Sequence, residues 1–442
     1  MTATVPYPNH LAQERTRAGF DAPERLASLA GIEPSWYAHI EGGDILPTLD
    51  ELERICAALA GIAPQRLYDA WLANIGADVP RERPNYARFW GDLEDAGHLL
   101  VSKEETVWIE RNVAPDGAVD VFVNMSCGPQ HTPHLILDTV GVLRALGVNF
   151  AAGAGRLFCC GTYYRHYKDL KQAERMHAAS VARSVAWGAS LTAHMCTNCQ
   201  NTFSMIERRE RLLGTQLPAN VQMYTLLEQT LRKLGERVPW QREVGAKVLV
   251  LRAGGSPVHV EATETCARVL AMIPGVEVVG FVDPEIDRIA GHGNAETIVN
   301  DPALSRHDVE RRRERLADLF AARGADTMSA THHTGQQWWS RFSSDRLAVR
   351  HPISLLADAL GCASPDRYQA ACKLGDPEAI LEQTRPMWSS WGMREERART
   401  LAQAIFDPAY ADGPSRCACG GEGGCQEQLI SVDVLSGAVR PA

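Results

Sequence analysis

Five cysteines in the middle of the chain have the residue type and spacing that point most directly to chemistry: Cys127, Cys159, Cys160, Cys196 and Cys199. Thirty-one residues separate Cys127 from the adjacent pair Cys159-Cys160, and thirty-five separate that pair from Cys196-Thr197-Asn198-Cys199. Thiolates gathered from distant points of a chain hold iron–sulfur clusters or zinc. In a reducing compartment such clusters of cysteine bind metal or do redox work more often than they form disulfides. All five are expected at the carboxyl ends of strands in one sheet: Cys127 after DVFVNMS, Cys159-Cys160 closing GRLFCC, and Cys196 after SLTAHM, with Cys199 in the turn into the next helix. Open α/β sheets present their sites at that edge, and a helix N-terminus beside it favours thiolate. The residues predict an iron–sulfur site, with zinc on four of the five cysteines as the competing reading.

The same spacing, with Gly161 after the adjacent pair, resembles the cysteine-rich CCG domain of the heterodisulfide reductase B subunit family, over residues 105–365. That resemblance implies a noncubane 4Fe-4S cluster with Cys127, Cys159, Cys160, Cys196 and Cys199 as its ligands, serving thiol or disulfide redox chemistry or electron transfer. Five thiolates exceed the four of a cubane, which suits a cluster with bridging sulfurs. The chain lacks a C-x2-C-x2-C-x3-C run, so electrons would come from a redox partner protein or electron-donor subunit, in a homo- or hetero-oligomer.

The elements around these cysteines occur twice. DVFVNMSCG at 120–128 aligns with AKVLVLRAGG at 246–255, and GASLTAHMCTNCQNTF at 188–203 aligns without a gap on GADTMSATHHTGQQWW at 324–339. The expected fold is α/β: two pseudo-symmetric repeats with parallel sheets, at 105–240 and 241–365, preceded by a small all-α helix-turn-helix domain at 1–75 and a linker and packing arm at 76–104. In the second repeat Gly254, His332 and Gly335 replace Cys127, Cys196 and Cys199. His332 and His333 are then ligands, or polar groups lining the cleft between repeats as the remains of a decayed site. His194 is expected to satisfy a backbone group. Because the second repeat lacks its cysteines, a route that breaks a disulfide between two clusters is in doubt.

A helical region at 366–442 ends in CACGGEGGC, whose Cys417, Cys419 and Cys425 are a candidate second metal site, a mobile dithiol, or incidental residues of a flexible tail. Cys56, Cys266, Cys362 and Cys372 stand alone in helix-like apolar surroundings and read as core.

The helices of residues 10–72 resemble the helix-turn-helix domain of the XRE family, whose rhythm PERLASLAGIEPSWYAHIEGGDILPTLDELERICAAL follows. The resemblance places a recognition helix at 33–44, with Ser35, Trp36, Tyr37 and His39 as candidate base-reading groups and Ala22 where the family usually has a phosphate-contacting glutamine. Charge speaks against tight DNA contact, which needs cations facing phosphates. Residues 1–80 carry five Arg or Lys against eleven Asp or Glu, and 33–44 have neither Lys nor Arg. An acidic face centred on Trp36 and Tyr37 suits a protein partner equally well.

The chain as a whole has a formal charge of −9, and 45% of its residues are hydrophobic and 22% charged. It shows no run of about 18 apolar residues and no basic, apolar, cleavable start. These features predict a cytoplasmic protein without membrane insertion. Two functions follow: a redox protein docked to a partner by its helical domain, or a DNA-binding regulator that senses redox state or a sulfur compound through its cluster. The sequence favours the first slightly.

Overall fold

Prolines begin two of the N-terminal helices, where a missing N–H leaves no hydrogen bond unmade. In the computed structural model, which describes residues 11–59, 86–110, 117–161, 164, 170–252, 257–282 and 306–406, they are α2 (Pro23–Leu29) and α3 (Pro34–Glu41), between α1 (Leu11–Arg17) and α4 (Leu49–Ala58). Thr48 and Glu51 form a reciprocal capping box at the start of α4. Leu11, Leu26, Tyr37, Ile40, Leu52 and Ile55 make the core, and Arg15 ties α1 to the end of α3 through Glu41 at 2.9 Å. This is the expected helix-turn-helix region.

Two four-stranded parallel sheets follow. The first is ordered β2-β1-β3-β4, with β1 (Val121–Asn124), β2 (Phe150–Gly153), β3 (Leu191–His194) and β4 (Ala219–Gln222); the second is ordered β6-β5-β7-β8, with β5 (Ala246–Leu251), β6 (Val276–Val282), β7 (Thr327–Ala330) and β8 (Ala348–Val349). Each parallel step needs a crossover, which the sequence supplies as helices. In the first repeat these are α7 (His134–Ala145), α8 (Leu170–Ala186), α9 (Thr197–Leu212) and α10 (Met223–Leu234). Their counterparts are α11 (Pro257–Leu270), α12 (Arg306–Ala322), α13 (His333–Trp339) and α14 (Pro352–Ala359). The α/β repeat expected from the sequence is thus present, element for element and in the same strand order.

One apolar core joins the two repeats, running from Leu143, Leu227 and Leu231 to Val269, Leu270, Leu355 and Leu356. Polar groups fix the register across it. The Tyr224 hydroxyl donates to the Thr331 carbonyl at 2.7 Å, and buried Asp138 accepts from Ser354 Oγ and Ser364 N, both at 2.6 Å. Residues 76–104, expected as linker and packing arm, instead include the helix α5 (Tyr86–His98), followed by α6 (Lys103–Glu110). Leu93 and Ala96 of α5 pack against Tyr164 and the C-terminal helices α15 (Arg367–Leu374), α16 (Pro377–Gln383), α17 (Arg385–Ser390) and α18 (Glu395–Phe406). The charged residues in this stretch, which suggested a linker, pair across that junction: Asp92 and Asp95 with Arg397, Glu105 with Arg367. Among the described residues no helix is long and apolar enough to cross a membrane.

Replacing Tyr224 with Phe leaves the buried Thr331 carbonyl without its donor, at a cost of about 1–3 kcal/mol. Chemical denaturation should show a lower midpoint for Tyr224→Phe; an unchanged midpoint would mean that the bond contributes nothing to joining the repeats.

Candidate metal centre

The loop after β1 is built tightly around Cys127. Asn124 Oδ1 accepts from the Ser126 amide at 2.9 Å, which holds Ser126 at φ +68°, the one positive φ of a non-glycine residue among those described. The next residue but one must be glycine: a Cβ on Gly128 would lie 2.1 Å from Cε1 of His333. Cys159 and Cys160 do not close a strand as expected. They follow the short 3-10 turn Arg156–Phe158, which lies beyond β2. Gly161, at φ +81° with no room for a side chain against the Ala173 carbonyl, donates its N–H to Cys159 Sγ at 3.3 Å. Cys196 is the N-cap of α9 and Cys199 lies in that helix's first turn, where aligned peptide dipoles favour a thiolate.

All five cysteines are at most 6% exposed, and their side chains contact one another in series. Cys159 interacts with Cys127 and Cys160, and Cys199 with Cys160 and Cys196. The structure thus brings together every cysteine of the predicted central site. Their mutual hydrogen bonds, reinforced by burial, push the Cys159 and Cys199 thiols well above the ordinary range. Cys196 moves the other way: hydrogen bonding from Cys199 and the nearness of His332 outweigh burial and hold it well below. Of these three thiols, Cys196 is the one whose surroundings favour the charged form.

The second repeat contributes its histidines to the same place. His332 Nε2 lies 3.2 Å from Cys196 Sγ, and its Nδ1 accepts from the Thr334 amide at 3.3 Å, as the N-cap of α13. Among the described residues, Cys196, His332 and His333 offer ligand atoms all within 4.8 Å of one another. Burial pushes the His333 and His131 pKa values down to about 3 and lowers that of His332 as well, so all three are neutral near pH 7. His131, which sequence reasoning passed over, is buried with Nε2 unpartnered among the described residues. Among the described residues His194 does not bond a backbone group as expected; its Nε2 meets the Asn220 amide oxygen at 2.8 Å, and burial takes its pKa to about 4. Cys56 and Cys266 lie in apolar cores, with Cys362 and Cys372 packed against such cores. Cys417, Cys419, Cys425 and Gly254 lie outside the described residues.

Helix α9 also reaches the N-terminal domain. Arg209 forms a two-pronged ion pair with Glu51, at 2.8 and 2.9 Å, and its guanidinium stands 5.0 Å from the Trp36 ring centre. Trp36 Nε1 donates to the same Glu51 carboxylate at 2.8 Å, and Arg208 pairs with Asp44 at 2.8 Å. Met205 of α9 and Leu170 of α8 join the apolar core of the N-terminal helices. Burial works to raise the Glu51 pKa, but Arg209, the Thr48 amide and Trp36 outweigh it and hold the carboxylate below its usual 4.5. The pairing is complete above that value and is lost as pH falls through the depressed one.

This docking corrects two expectations. Tyr37 is fully buried in the domain core and cannot read bases, and Trp36 is half-buried against Arg209. Ser35 is exposed and His39 half-exposed on α3. Part of the acidic face that suggested a protein partner is met instead by the arginines of α9. Sequence reasoning missed Glu51, Arg208 and Arg209; the only signal was the charged run ERRER at 207–211, which reads as an ordinary solvated helix end.

A search of curated proteins finds no match. A family model described as a helix-turn-helix domain matches residues 9–66, which span α1 to α4.

Proposed function

We propose that the protein is a helix-turn-helix transcription regulator whose DNA binding is set by an iron–sulfur centre on Cys127, Cys159, Cys160, Cys196 and Cys199. The observation that carries this reading is α9, whose N-cap is Cys196, whose first turn holds Cys199 and whose last turns hold the Arg208 and Arg209 that grip the N-terminal domain. The residues suit such a group: five buried sulfurs in series, an amide N–H on Cys159, a helix N-terminus at Cys196 and Cys199, and neutral imidazoles beside them. When bound, the cluster supplies one-electron redox chemistry. Cys196 and Cys199 fix the start of α9 according to what they ligate. About ten residues on, or roughly 15 Å along the helix, Arg209 turns a small displacement of that start into a gain or loss of its contacts with Glu51 and Trp36.

In the helix-turn-helix mode the second helix offers its N-terminal residues to base edges while the first crosses the backbone. Here α3 presents Ser35, Ala38 and His39, and exposed Arg25 lies on α2. Arg209 holds Trp36, in the first turn of α3, so the docked state restrains the reading surface. The second reading, a redox protein that uses its helical domain to bind a partner, draws on the absence of Lys and Arg from 33–44.

Anaerobically purified protein should carry about four iron and four sulfide per chain. Cys159→Ser and Cys196→Ser should lose them, while Cys266→Ala keeps them; zinc in place of iron, or bleaching by Cys266→Ala, would contradict the assignment. Fluorescence anisotropy on the DNA upstream of the protein's own coding sequence, under anaerobic conditions, should show saturable binding that differs about tenfold with and without the metal, a coupling of ordinary size. Arg209→Ala should bind as tightly as the better-binding state and lose that dependence. Absence of specific binding in every state would favour the redox reading.

A further inference from the structure

His333 has the properties of a ligand without a ligand's partner. It is 5% exposed, and its Nε2 has no hydrogen-bond partner among the described residues. An unpaired nitrogen buried at this depth costs free energy unless something occupies it. Its Nδ1 lies 3.3 Å from the Thr334 hydroxyl, which can accept as well as donate; in the tautomer that carries the proton on Nδ1, the Nε2 lone pair is free. Such an outer hydrogen bond is what orients metal-bound imidazoles. The ring rests over Gly128, next to Cys127, in the space that any side chain there would take. One of its ring nitrogens lies within 4.8 Å of Cys196 Sγ.

His332 is placed differently. Its Nδ1 accepts the Thr334 amide hydrogen bond, so its proton sits on Nε2 and points at Cys196 Sγ, 3.2 Å away. It is a donor to that sulfur, not a ligand. The two adjacent histidines thus differ: His333 keeps a buried Nε2 without a partner among the described residues, and His332 turns an N–H to the Cys196 sulfur.

We propose that His333 binds the metal centre through Nε2, while His332 donates a hydrogen bond to the sulfur of Cys196, so that the centre is a mixed thiolate–imidazole site completed by the second repeat. The inference rests on the iron–sulfur reading above and adds to it a ligand that the cysteine pattern does not contain. It gives the second repeat, which has no counterpart of the five site cysteines, a reason to keep two histidines at the edge of its sheet, where β7 leads into α13. A neutral imidazole in place of a thiolate leaves less negative charge on the iron, and a hydrogen bond to a ligating sulfur does the same, so both raise the reduction potential.

The test uses the full-length protein, loaded anaerobically with ferrous iron and sulfide and brought to its paramagnetic state, with and without 15N-labelled histidine. Pulsed electron paramagnetic resonance should show the coupling of one directly bound nitrogen, converted from the 14N to the 15N pattern by the label, with no substitution needed. His333→Ala should abolish that coupling, and His332→Ala should retain it with a lowered reduction potential. His333→Cys should keep the iron and lower the potential further. Iron present without any histidine coupling would overturn the inference and leave the iron–sulfur reading standing. Coupling lost in His332→Ala and kept in His333→Ala would also overturn it, reversing the two roles. A chain that takes up no iron would overturn both.

Discussion

Five thiols share one dry pocket, and they cannot all be charged without a cation among them. That constraint underlies the rest of the site. Cys159 and Cys199, each between two other sulfurs, resist ionisation, whereas Cys196, at the end of the series beside an imidazole, accepts it. A pocket so arranged is costly when empty, because like charges and unpaired polar groups are worth most where water is excluded. The orphaned nitrogens of His131 and His333 belong to the same imbalance. The metal centre proposed above would resolve all of it at once.

The fold exists to hold that pocket closed from both sides. The first repeat supplies sulfurs from the loops after β1 and β2 and from the start of α9, and the second supplies histidines from the start of α13. Neither repeat alone encloses the site. Their shared apolar core, with Tyr224 and Asp138 bonded across it, keeps the two sheet edges facing each other. The N-terminal domain is fastened to the same element that carries Cys196 and Cys199, through Asp44 and Glu51 and the packing of Met205. Glu51 caps its own helix, accepts from Trp36 and receives Arg209, so disturbing it touches the domain's internal order and its docking together.

Much of this was legible in the sequence because it is carried by local or periodic signals. The five cysteines were visible from type and spacing, and the two repeats from alternating strands and helices and the ungapped match of 188–203 to 324–339. The helix-turn-helix region was visible from its glycines, prolines and helical apolar spacing. What was not legible depends on contacts between distant segments. Residues 86–98 read as linker because their apolar positions are mixed with charges whose partners lie about three hundred residues away, as with Asp92 and Arg397. Arg209 looked like a solvated charge because Glu51 is 158 positions distant. His332 and His333 stayed open between ligands and relics of a decayed site, because nothing in their own neighbourhood shows that Cys196 lies across the cleft.

Helix α9 connects the cysteine site to the N-terminal domain. Amide hydrogen exchange, followed by mass spectrometry on metal-loaded and metal-stripped protein, tests that connection directly. Stripping the metal should change exchange in two places at once, the first turns of α9 and the segment 34–58 that holds Trp36 and Glu51. A change confined to the cysteine loops, with 34–58 exchanging identically in both states, would contradict it.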